Sequence, residues 1–162
     1  MIGDLLLMTK TFCGAIFLLA LISTAQAAHR TGRVVGVKDG DTLAVLVEGR
    51  EVRVRLAEID APEKKQPFGM VSRASLSLLT FGRTVTLEAQ DTDRYGRTVA
   101  RVYVGETDIC LEQVRRGMAW AYRKYLRDDR LLLAEEAART RGVGLWSVGD
   151  PIPPWAWRKG NR

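Results

Sequence analysis

The stretch RVVGVKDGDTLAVLVEGREVRVRLAEI, residues 33–59, contains three runs rich in Val, Leu and Ile that are separated by short polar segments. Apolar runs of this length between turn sequences predict β-strands. The separating segments contain Asp39-Gly40 and Glu48-Gly49-Arg50, which are residue types typical of tight turns. The stretch therefore predicts three consecutive strands joined by tight turns. They cover Arg33–Lys38, Thr42–Val47 and Glu51–Ile59.

Beyond this stretch, the apolar spacing becomes that of a helix, then of two strands, then of helices again. Val71–Phe81 predicts a helix that ends before Gly82, with Val71, Ala74, Ser75 and Leu78 on one face. Two further strands are predicted at Thr84–Ala89 and Thr98–Val104. A second helix is capped by Asp108, carries Cys110, Leu111, Val114 and Met118 on its apolar side, and meets Gly117 near its end. A third runs from Asp128 or Asp129 to about Arg141, with Leu131, Ala134 and Ala138 inward.

This order of elements lacks the alternation of strands and helices that is typical of a parallel sheet. It predicts an α+β fold, mainly β: a closed, five-stranded antiparallel OB-fold barrel with about three helices, one of them between the third and fourth strands. OB-fold barrels commonly present a groove to oligonucleotides. The length of 162 residues indicates one domain, which we place at residues 28–150. Residues 151–162, PIPPWAWRKGNR, form a Pro/Trp-rich C-terminal tail that we expect to pack back on the barrel.

The first 27 residues have the features of a signal peptide. An apolar run, Thr11–Ile22, follows Lys10 and precedes Ala25-Gln26-Ala27, a small-residue cleavage signal. We therefore expect cleavage after Ala27 and an exported, periplasmic or secreted protein, monomeric and without a stable membrane span. The alternative is an uncleaved membrane anchor, because the apolar run is close to the shortest length that spans a bilayer.

Cysteine and histidine are scarce, with Cys13, Cys110 and His29 the only examples. These three residues exclude a Cys/His zinc cluster, and they leave Ser–His–Asp or Cys–His catalysis dependent on a histidine near the start of the chain. Cys110 lies on the apolar side of a predicted helix, so we interpret it as a packing residue. The net charge of +6 is compatible with a polyanionic partner but does not identify one.

Acidic residues follow two of the predicted strand ends. Asp39 and Asp41 flank Gly40 in the turn after the first strand, and Asp60 and Glu63 follow the third strand. Carboxylate oxygens in the absence of His and Cys are ligands of Ca²⁺ or Mg²⁺. A carboxylate that does not bind the metal can orient or deprotonate water.

Two arginines accompany these acids. Arg55 lies among alternating apolar residues of the third strand, so its side chain is expected to point away from the core. Strict alternation would place the apolar Ile59 on the same face of the strand as Arg55, because the two are four residues apart. A bulge or strand end near Ala57–Glu58 explains this interruption of the alternation and would redirect the side chain of Asp60. Arg97, in the turn before the fifth strand, supplies a second guanidinium. Guanidinium groups beside a metal are suited to phosphoryl transfer, because they neutralise charge on the phosphate oxygens.

Three separated motifs contain these acids and arginines. They are VKDGDT at residues 37–42, RL followed by IDAPE within residues 55–63, and TDRYGR at residues 92–97. In order, spacing and turn chemistry they resemble the motifs of the staphylococcal nuclease (thermonuclease) family. The resemblance extends from about Arg33 to Trp146, which is nearly all of the predicted domain.

The resemblance implies a calcium-dependent nuclease of the thermonuclease type, a phosphodiesterase acting on DNA and RNA. By position, it implies that Asp41, Asp60 and the backbone carbonyl of Ala61 hold the metal, with Asp39 as a nearby acid. The chain departs from the family prototype at Ala61, where the prototype has Thr; this removes a hydroxyl and keeps the carbonyl. Ca²⁺ is the implied ion, and Mg²⁺ or Mn²⁺ stays open as the working metal.

The resemblance also implies roles for side chains that meet the substrate. Glu63 is similar to the residue that activates or positions the attacking water. Arg55 and Arg97 resemble the pair that binds the scissile phosphate. The aromatic groups of the nucleotide pocket correspond to Tyr95, Tyr122 and Tyr125.

Two other function classes compete with a nuclease. One is a non-catalytic OB-fold protein that binds single-stranded nucleic acid, which needs basic and aromatic groove residues but no acids near the phosphate. Asp41, Asp60 and Glu63 therefore argue against it, because acids repel the substrate unless a metal neutralises them. The other is an envelope structural protein whose Trp-rich tail docks a partner.

Overall fold

A computed structural model describes residues 29–160, which form eight strands and four α-helices. The five long strands are β1 His29–Val37, β2 Thr42–Val47, β3 Arg50–Leu56, β5 Thr84–Thr92 and β6 Thr98–Val104. The short strands are β4 Ile59–Asp60, β7 Thr107–Asp108 and β8 Trp120–Ala121. The helices are α1 Gly69–Thr80, α2 Ile109–Arg115, α3 Arg130–Thr140 and α4 Pro154–Gly160, with 3-10 turns at Arg123–Tyr125 and Gly144–Val148. The predicted signal peptide at residues 1–27 lies outside the described residues.

The five long strands close into a barrel in the order β3-β2-β1-β5-β6, with β6 returning to pair with β3. This is the connectivity of an OB fold, and the five-stranded barrel predicted from the sequence is confirmed. The prediction of an entirely antiparallel barrel is wrong, since β3 and β6 pair in parallel, with Val54 opposite Thr98 and Leu56 opposite Ala100. Four antiparallel pairings around a ring of five strands force the fifth pairing to be parallel.

Alternate residues of the long strands point into the barrel and form its core. Val34, Leu43, Val54, Leu87 and Val102 are each at most 2% exposed, which is the period-two burial expected of strands with one dry face. Cys110, from α2, is fully buried in the same cluster, in agreement with its interpretation as a packing residue.

The first helix buries only Ser75 of the four residues predicted to face inward, and its buried face is rotated toward Ser72 and Leu76. Val71 and Leu78 are 50% and 76% exposed, whereas Ser72 and Leu76 are fully buried. The buried face carries small hydroxyl side chains because they bond the neighbouring segment: Ser72 Oγ donates to the carbonyl of Met118 at 2.6 Å, and Ser75 Oγ bonds Gln113 Oε1 at 2.7 Å. Hydrogen bonding, rather than apolar content, therefore selects the face that α1 turns inward.

The later helices begin near the acids predicted to cap them. Asp108 accepts a hydrogen bond from the amide of Leu111 at the start of α2, at 3.1 Å. Before α3, Asp128 rather than Asp129 accepts from a backbone amide, that of Arg130. α3 turns Leu131, Ala134 and Ala138 inward, as predicted.

The predicted break after the third strand is present. β3 ends at Leu56, and Glu58 has a φ of 64°, a left-handed conformation that is uncommon for a residue with a side chain. The chain then turns so that Asp60 pairs with Trp120 across the β4–β8 ribbon. This local break delivers Asp60 to the end of the barrel where β1 and β2 meet.

The Pro/Trp-rich tail lies against the barrel and contains the helix α4, which the expected count of about three helices did not include. Pro154 is buried, and the carbonyl of Ile152 accepts a 2.5 Å hydrogen bond from Gln66. A two-turn helix is marginal in isolation, so packing against the barrel is what stabilises it. Across residues 29–160, none of the helices is both long and apolar enough to cross a bilayer.

Candidate active site

A cleft of about 1020 Å³ opens at the end of the barrel where the predicted acids and arginines lie. All ten side chains and backbone groups predicted to form the site line this cleft: Asp39, Asp41, Arg55, Asp60, Ala61, Glu63, Tyr95, Arg97, Tyr122 and Tyr125. They come from three strand ends and two loops that are far apart in the sequence.

The centre of the cleft is an ion triad of Asp41, Arg55 and Asp60. Arg55 Nη1 lies 2.8 Å from Asp41 Oδ2, and Arg55 Nη2 lies 3.0 Å from Asp60 Oδ1. The side chains of Asp41, Arg55 and Asp60 are 10%, 15% and 2% exposed, so this pairing is largely shielded from water. A buried guanidinium needs such partners, because an unpaired charge in this environment costs several kcal/mol.

The turn after β1 brings Asp41 against the loop that follows β4. The amide of Ala61 donates to Asp41 Oδ2 at 2.9 Å, and the amide of Asp41 itself donates to Asp39 Oδ1 at 3.1 Å. Gly40 is required for this approach, since a Cβ there would lie 2.7 Å from the Ala61 Cβ and closer still to Ser72 Oγ. The backbone of Ala61 therefore lies directly against Asp41.

The carboxyl groups differ in acidity because they differ in burial and in partners. Burial, followed by the negative charge of Asp41, raises the pKa of Asp39 to about 6. Burial alone would raise the pKa of Asp41 too, but Arg55 and the amide of Ala61 hold it below its usual value. Burial keeps the pKa of Asp60 raised despite its arginine partners. Asp39 and Asp60 therefore bind a proton more readily than a solvated carboxyl group does, and Asp41 less readily.

Arg97 joins this group from the β5–β6 turn. Its Nε and Nη2 both bind Oδ2 of Asp93, four residues earlier in the chain, at 2.7 Å. These two contacts fix the orientation of the guanidinium. The remaining terminal nitrogen, Nη1, lies 3.4 Å from Thr42 Oγ1. Thr42 in turn donates to Asp41 Oδ1, so a short chain of polar contacts connects Arg97 with the triad.

Aromatic rings form the two sides of the cleft. Tyr95 is 58% exposed, and the guanidinium of Arg97 lies over its ring at 5.6 Å. On the other side, Tyr122 and Tyr125 meet edge to face, and Tyr122 stacks in parallel on Trp155, with 5.5 Å between ring centroids. Tyr95 and Tyr125, which are 58% and 56% exposed, have ring surface suited to stacking on nucleobases, whereas the half-buried Tyr122 is covered by Trp155.

Three residues of the tail also line the cleft, and sequence reasoning missed them: Trp155, Arg158 and Lys159. Arg158 Nη2 lies 2.7 Å from Asp60 Oδ2, and its Nη1 lies 2.7 Å from Glu63 Oε1. The sequence does contain one signal for this helix: Trp155 and Arg158 are three residues apart and follow the Pro153-Pro154 pair. Pro often begins a helix, and positions three apart share a helix face.

A second charged network supports the tyrosine side of the cleft. Glu58 accepts hydrogen bonds from the amides of Arg127 and Asp128, at 2.7 and 2.9 Å, and pairs with Arg101. Arg101 also pairs with Asp108 and Asp128, although its side chain is only 5% exposed. The network ties the loop after Tyr122 to β6, so it positions the aromatic wall.

The donor chemistry at the triad fits a divalent cation that prefers oxygen ligands. Asp41 and Asp60 present buried carboxylates beside the backbone of Ala61, and carboxylates with backbone carbonyls and water are the usual Ca²⁺ ligands. Within residues 29–160, no three acidic, His or Cys side chains converge closely enough to hold a metal by themselves. The backbone and water must therefore complete any coordination shell.

Comparison with known proteins identifies the family of the chain. The sequence profile of the family described as staphylococcal nuclease homologue matches residues 53–148, which contain Arg55, Asp60, Glu63 and Arg97. The chain belongs to the staphylococcal nuclease homologue family. The matched range begins within β3, ends at the last 3-10 turn, and leaves β1, β2 and α4 outside it.

Three relatives have the size of this nuclease homologue and are similar over most of their length. An uncharacterized endonuclease of Haemophilus influenzae is 45% identical over 145 residues, which are 89% of this chain and 82% of the relative. An uncharacterized endonuclease of Escherichia coli O157:H7 is 45% identical over 78% of this chain and 84% of its own. A micrococcal nuclease of Shigella flexneri is 41% identical over 88% of both chains.

Proposed function

We propose that this protein is a calcium-dependent nuclease that hydrolyses phosphodiester bonds in DNA and RNA by attack of water. Family membership and the nuclease and endonuclease names of its relatives support a nuclease. The observation that carries the finer proposal is the triad, in which buried Arg55 bridges Asp41 and Asp60 beside Glu63 and Arg97.

In this proposal, Asp41, Asp60 and the carbonyl of Ala61 hold the cation, and Asp39 adds negative charge nearby. When bound, Ca²⁺ supplies a Lewis acid that neutralises charge on the phosphate. Mg²⁺ and Mn²⁺ are alternatives with the same preference for oxygen ligands, and a titration of the three ions against activity separates them.

Arg55 and Arg97 bind the scissile phosphate and stabilise the charge that develops on its oxygens. Both terminal nitrogens of Arg55 are paired with acids, at 2.8 Å from Asp41 and 3.0 Å from Asp60, so Arg55 reaches a phosphate oxygen only by giving up one of these contacts. Arg97 Nη1 has only the long contact with Thr42. Arg97 therefore keeps a donor for a phosphate oxygen.

Glu63 is the proposed group that orients or deprotonates the attacking water. It comes after the third strand with Asp60 but stays partly open to the cleft, with 43% of its side chain exposed. Its amide donates to Gln66, which fixes the backbone of the loop while the carboxylate faces the cleft. Tyr95, Tyr122 and Tyr125 then hold the nucleotides on either side of the reacting phosphate.

The test compares the wild type with Glu63→Gln, a change of nearly equal size that removes the carboxylate. Labelled single-stranded DNA is incubated with each protein in Ca²⁺ and then in chelator, and binding is measured separately without metal. We expect the wild type to cleave only with Ca²⁺, and Glu63→Gln to bind DNA but to lose most of its cleavage. Glu136→Gln, on the exposed side of α3, is the matched control and should cleave like the wild type.

The same assay decides between an enzyme and the alternative of a non-catalytic OB-fold protein that binds single-stranded nucleic acid. If the wild type binds DNA tightly but does not cleave it, whichever divalent ion is supplied, the result supports the binding protein. Cleavage that survives chelation rejects the metal assignment but leaves a nuclease.

We also propose that the protein is exported and acts as a monomer in the periplasm or outside the cell. The apolar run and cleavage signal of residues 1–27 support export. Cell fractionation followed by mass spectrometry of the amino terminus tests this, with a processed form that begins at Ala28 as the expected result. An unprocessed chain in the membrane fraction supports the anchor instead.

A further inference from the structure

The tail helix α4 brings a cation to acids that the proposed nuclease needs for its metal and its water. Arg158 Nη2 lies 2.7 Å from Asp60 Oδ2, Arg158 Nη1 lies 2.7 Å from Glu63 Oε1, and the same Nη1 lies 3.4 Å from Asp60 Oδ1. Arg158 lies after residues 53–148, the range that the family profile matches.

The position of Arg158 is fixed by the docking of its helix. Three residues earlier, Trp155 stacks on Tyr122 with an interplanar angle of 2° and meets Trp120 edge to face at 6.4 Å. The carbonyl of Ile152, just before the helix, is held by Gln66. These contacts place one face of α4 over the cleft, and Arg158 lies on that face.

With Arg158 in place, both carboxylate oxygens of Asp60 are bonded to guanidinium groups. Arg55 holds Oδ1 and Arg158 holds Oδ2. The two arginines differ in burial, since the side chain of Arg55 is 15% exposed and that of Arg158 is 41% exposed. Arg158 is thus the partner of Asp60 that can withdraw into solvent when another cation approaches.

We infer that Arg158 is a further positioning residue of the site, which holds Asp60 and Glu63 in place and lowers the affinity of the site for a divalent cation. The inference rests on the proposed function, because it takes Asp60 as a metal ligand. A cation that binds Asp60 either stays next to the positive guanidinium or displaces it, and both alternatives weaken binding. Arg158 therefore acts as an internal counter-ion of the metal-free site.

The test measures Ca²⁺ binding by calorimetry in the full chain without nucleic acid, so that its readout does not depend on catalysis. We expect Arg158→Gln to bind Ca²⁺ on the order of tenfold more tightly than the wild type, because a positive charge close to the ion is removed at a partly solvated position. Arg158→Lys cannot span both acids, but it keeps a positive charge near the ion, so its Ca²⁺ affinity should lie closer to that of the wild type than to that of Arg158→Gln. High salt should reduce the difference in Ca²⁺ affinity between Arg158→Gln and the wild type, since it screens exposed charges.

Arg83→Gln is the matched control. It makes the same substitution and removes one positive charge at an exposed residue that lies outside the cleft and forms no ion pair within the described part of the chain. We expect its Ca²⁺ affinity to remain close to that of the wild type, which separates a contact with Asp60 from a general change in net charge. Circular dichroism establishes that each variant is folded.

Equal or weaker Ca²⁺ binding by folded Arg158→Gln would overturn the inference, while cleavage by the wild type would leave the proposed function intact. A gain of the same size in Arg83→Gln would also overturn it, because the effect would then be one of net charge. If neither the wild type nor Arg158→Gln binds a divalent cation and the wild type does not cleave, both the proposed function and the inference are wrong.

Discussion

Arg55 bridges Asp41 and Asp60 through two different terminal nitrogens, at 2.8 and 3.0 Å, so the geometry of the site depends on the fork of its guanidinium. A lysine ammonium carries the same charge at a single point and cannot span both acids. At this scale the chemistry is set by the shape of one side chain as much as by its charge.

Replacing Arg55 or Arg97 by Lys should therefore lower kcat on the order of 10²–10³-fold, by analogy with the loss of a transition-state hydrogen-bond donor. Groups that act mainly in the transition state change kcat more than KM. Metal-free affinity for DNA should change little, because a lysine still meets the electrostatic part of phosphate binding. Single-turnover cleavage and metal-free binding measure the two effects.

Arg50→Lys is the control for this comparison, since Arg50 begins the same strand as Arg55 but is exposed and lies outside the cleft. It should cleave like the wild type. If DNA affinity falls as much as cleavage in Arg55→Lys and Arg97→Lys, the two arginines are groove residues and the nuclease roles assigned to them are wrong.

At the scale of elements, the loop between β8 and α3 is held to the barrel by charge rather than by apolar packing. Arg101 of β6, 5% exposed at its side chain, pairs with Glu58, Asp108 and Asp128. Removing one member of such a buried network leaves the others unpaired, which is costly. The network therefore determines where Tyr122 and Tyr125 stand relative to the acids.

Arg101→Gln should lower the free energy of unfolding by about 3 kcal/mol, the lower end of the range for breaking a buried ion pair. Arg116→Gln breaks only the exposed pair with Glu112 and should cost less than about 1 kcal/mol. Urea unfolding at neutral pH measures both. A similar small loss in the two variants would mean that the Arg101 network is solvated and does not support the loop.

The same network makes a prediction for acid stability. Hydrogen bonds from Arg130, with a smaller contribution from Arg101, lower the pKa of Asp128 to about 2. Burial alone would raise the pKa of Glu58, but amide and arginine hydrogen bonds lower it below its usual value. A carboxyl group whose pKa is lower when folded stabilises the protein above its unfolded pKa, and that stability is lost as the pH falls through the folded value.

We therefore expect the wild type to lose stability steadily from about pH 5 toward pH 2. In Arg101→Gln the loss of stability over this range should be smaller. Without Arg101 the folded-state pKa values of Glu58 and Asp128 are lowered less, so protonating these acids removes less stability. Urea unfolding at several pH values gives the two slopes. Parallel slopes would show that Arg101 does not influence the ionisation of these acids.

At the scale of the whole molecule, the cleft is assembled from segments that no local structure joins. Asp60 and Arg158 are 98 residues apart in the sequence, and Asp41 and Ala61 are 20 apart. A cation that binds across these segments links them only in the folded state. Ligands that bind only the folded state raise the free energy of unfolding.

Ca²⁺ at 100 times its dissociation constant should therefore stabilise the protein by about 2.7 kcal/mol relative to the protein in chelator. Asp41→Asn should abolish this increase, whereas Asp150→Asn, at an exposed site before the tail helix, should keep it. Thermal and urea unfolding with and without Ca²⁺ provide the measurement. An increase that persists in Asp41→Asn would place the cation elsewhere on the molecule.

Local patterns in the sequence were sufficient for the barrel and for much of the cleft. Alternating apolar residues identify the five long strands, and their order leads to the OB connectivity that the structure has. The interrupted alternation at Ile59 predicted the break after β3 that brings Asp60 into the cleft. These features depend on residues that are neighbours in the chain, so spacing alone reveals them.

Other features were decided only when distant segments came together. The parallel β3–β6 pair follows from closing five strands into a ring, and the inward face of α1 follows from hydrogen bonds to Met118 and Gln113. The sequence by itself determined which side chains could serve a phosphodiesterase and which turns would present them. Tertiary structure alone decided that Arg158 would bind Asp60 and Glu63, because an ion pair between segments so far apart depends on where the folded tail docks and on no local pattern of residues.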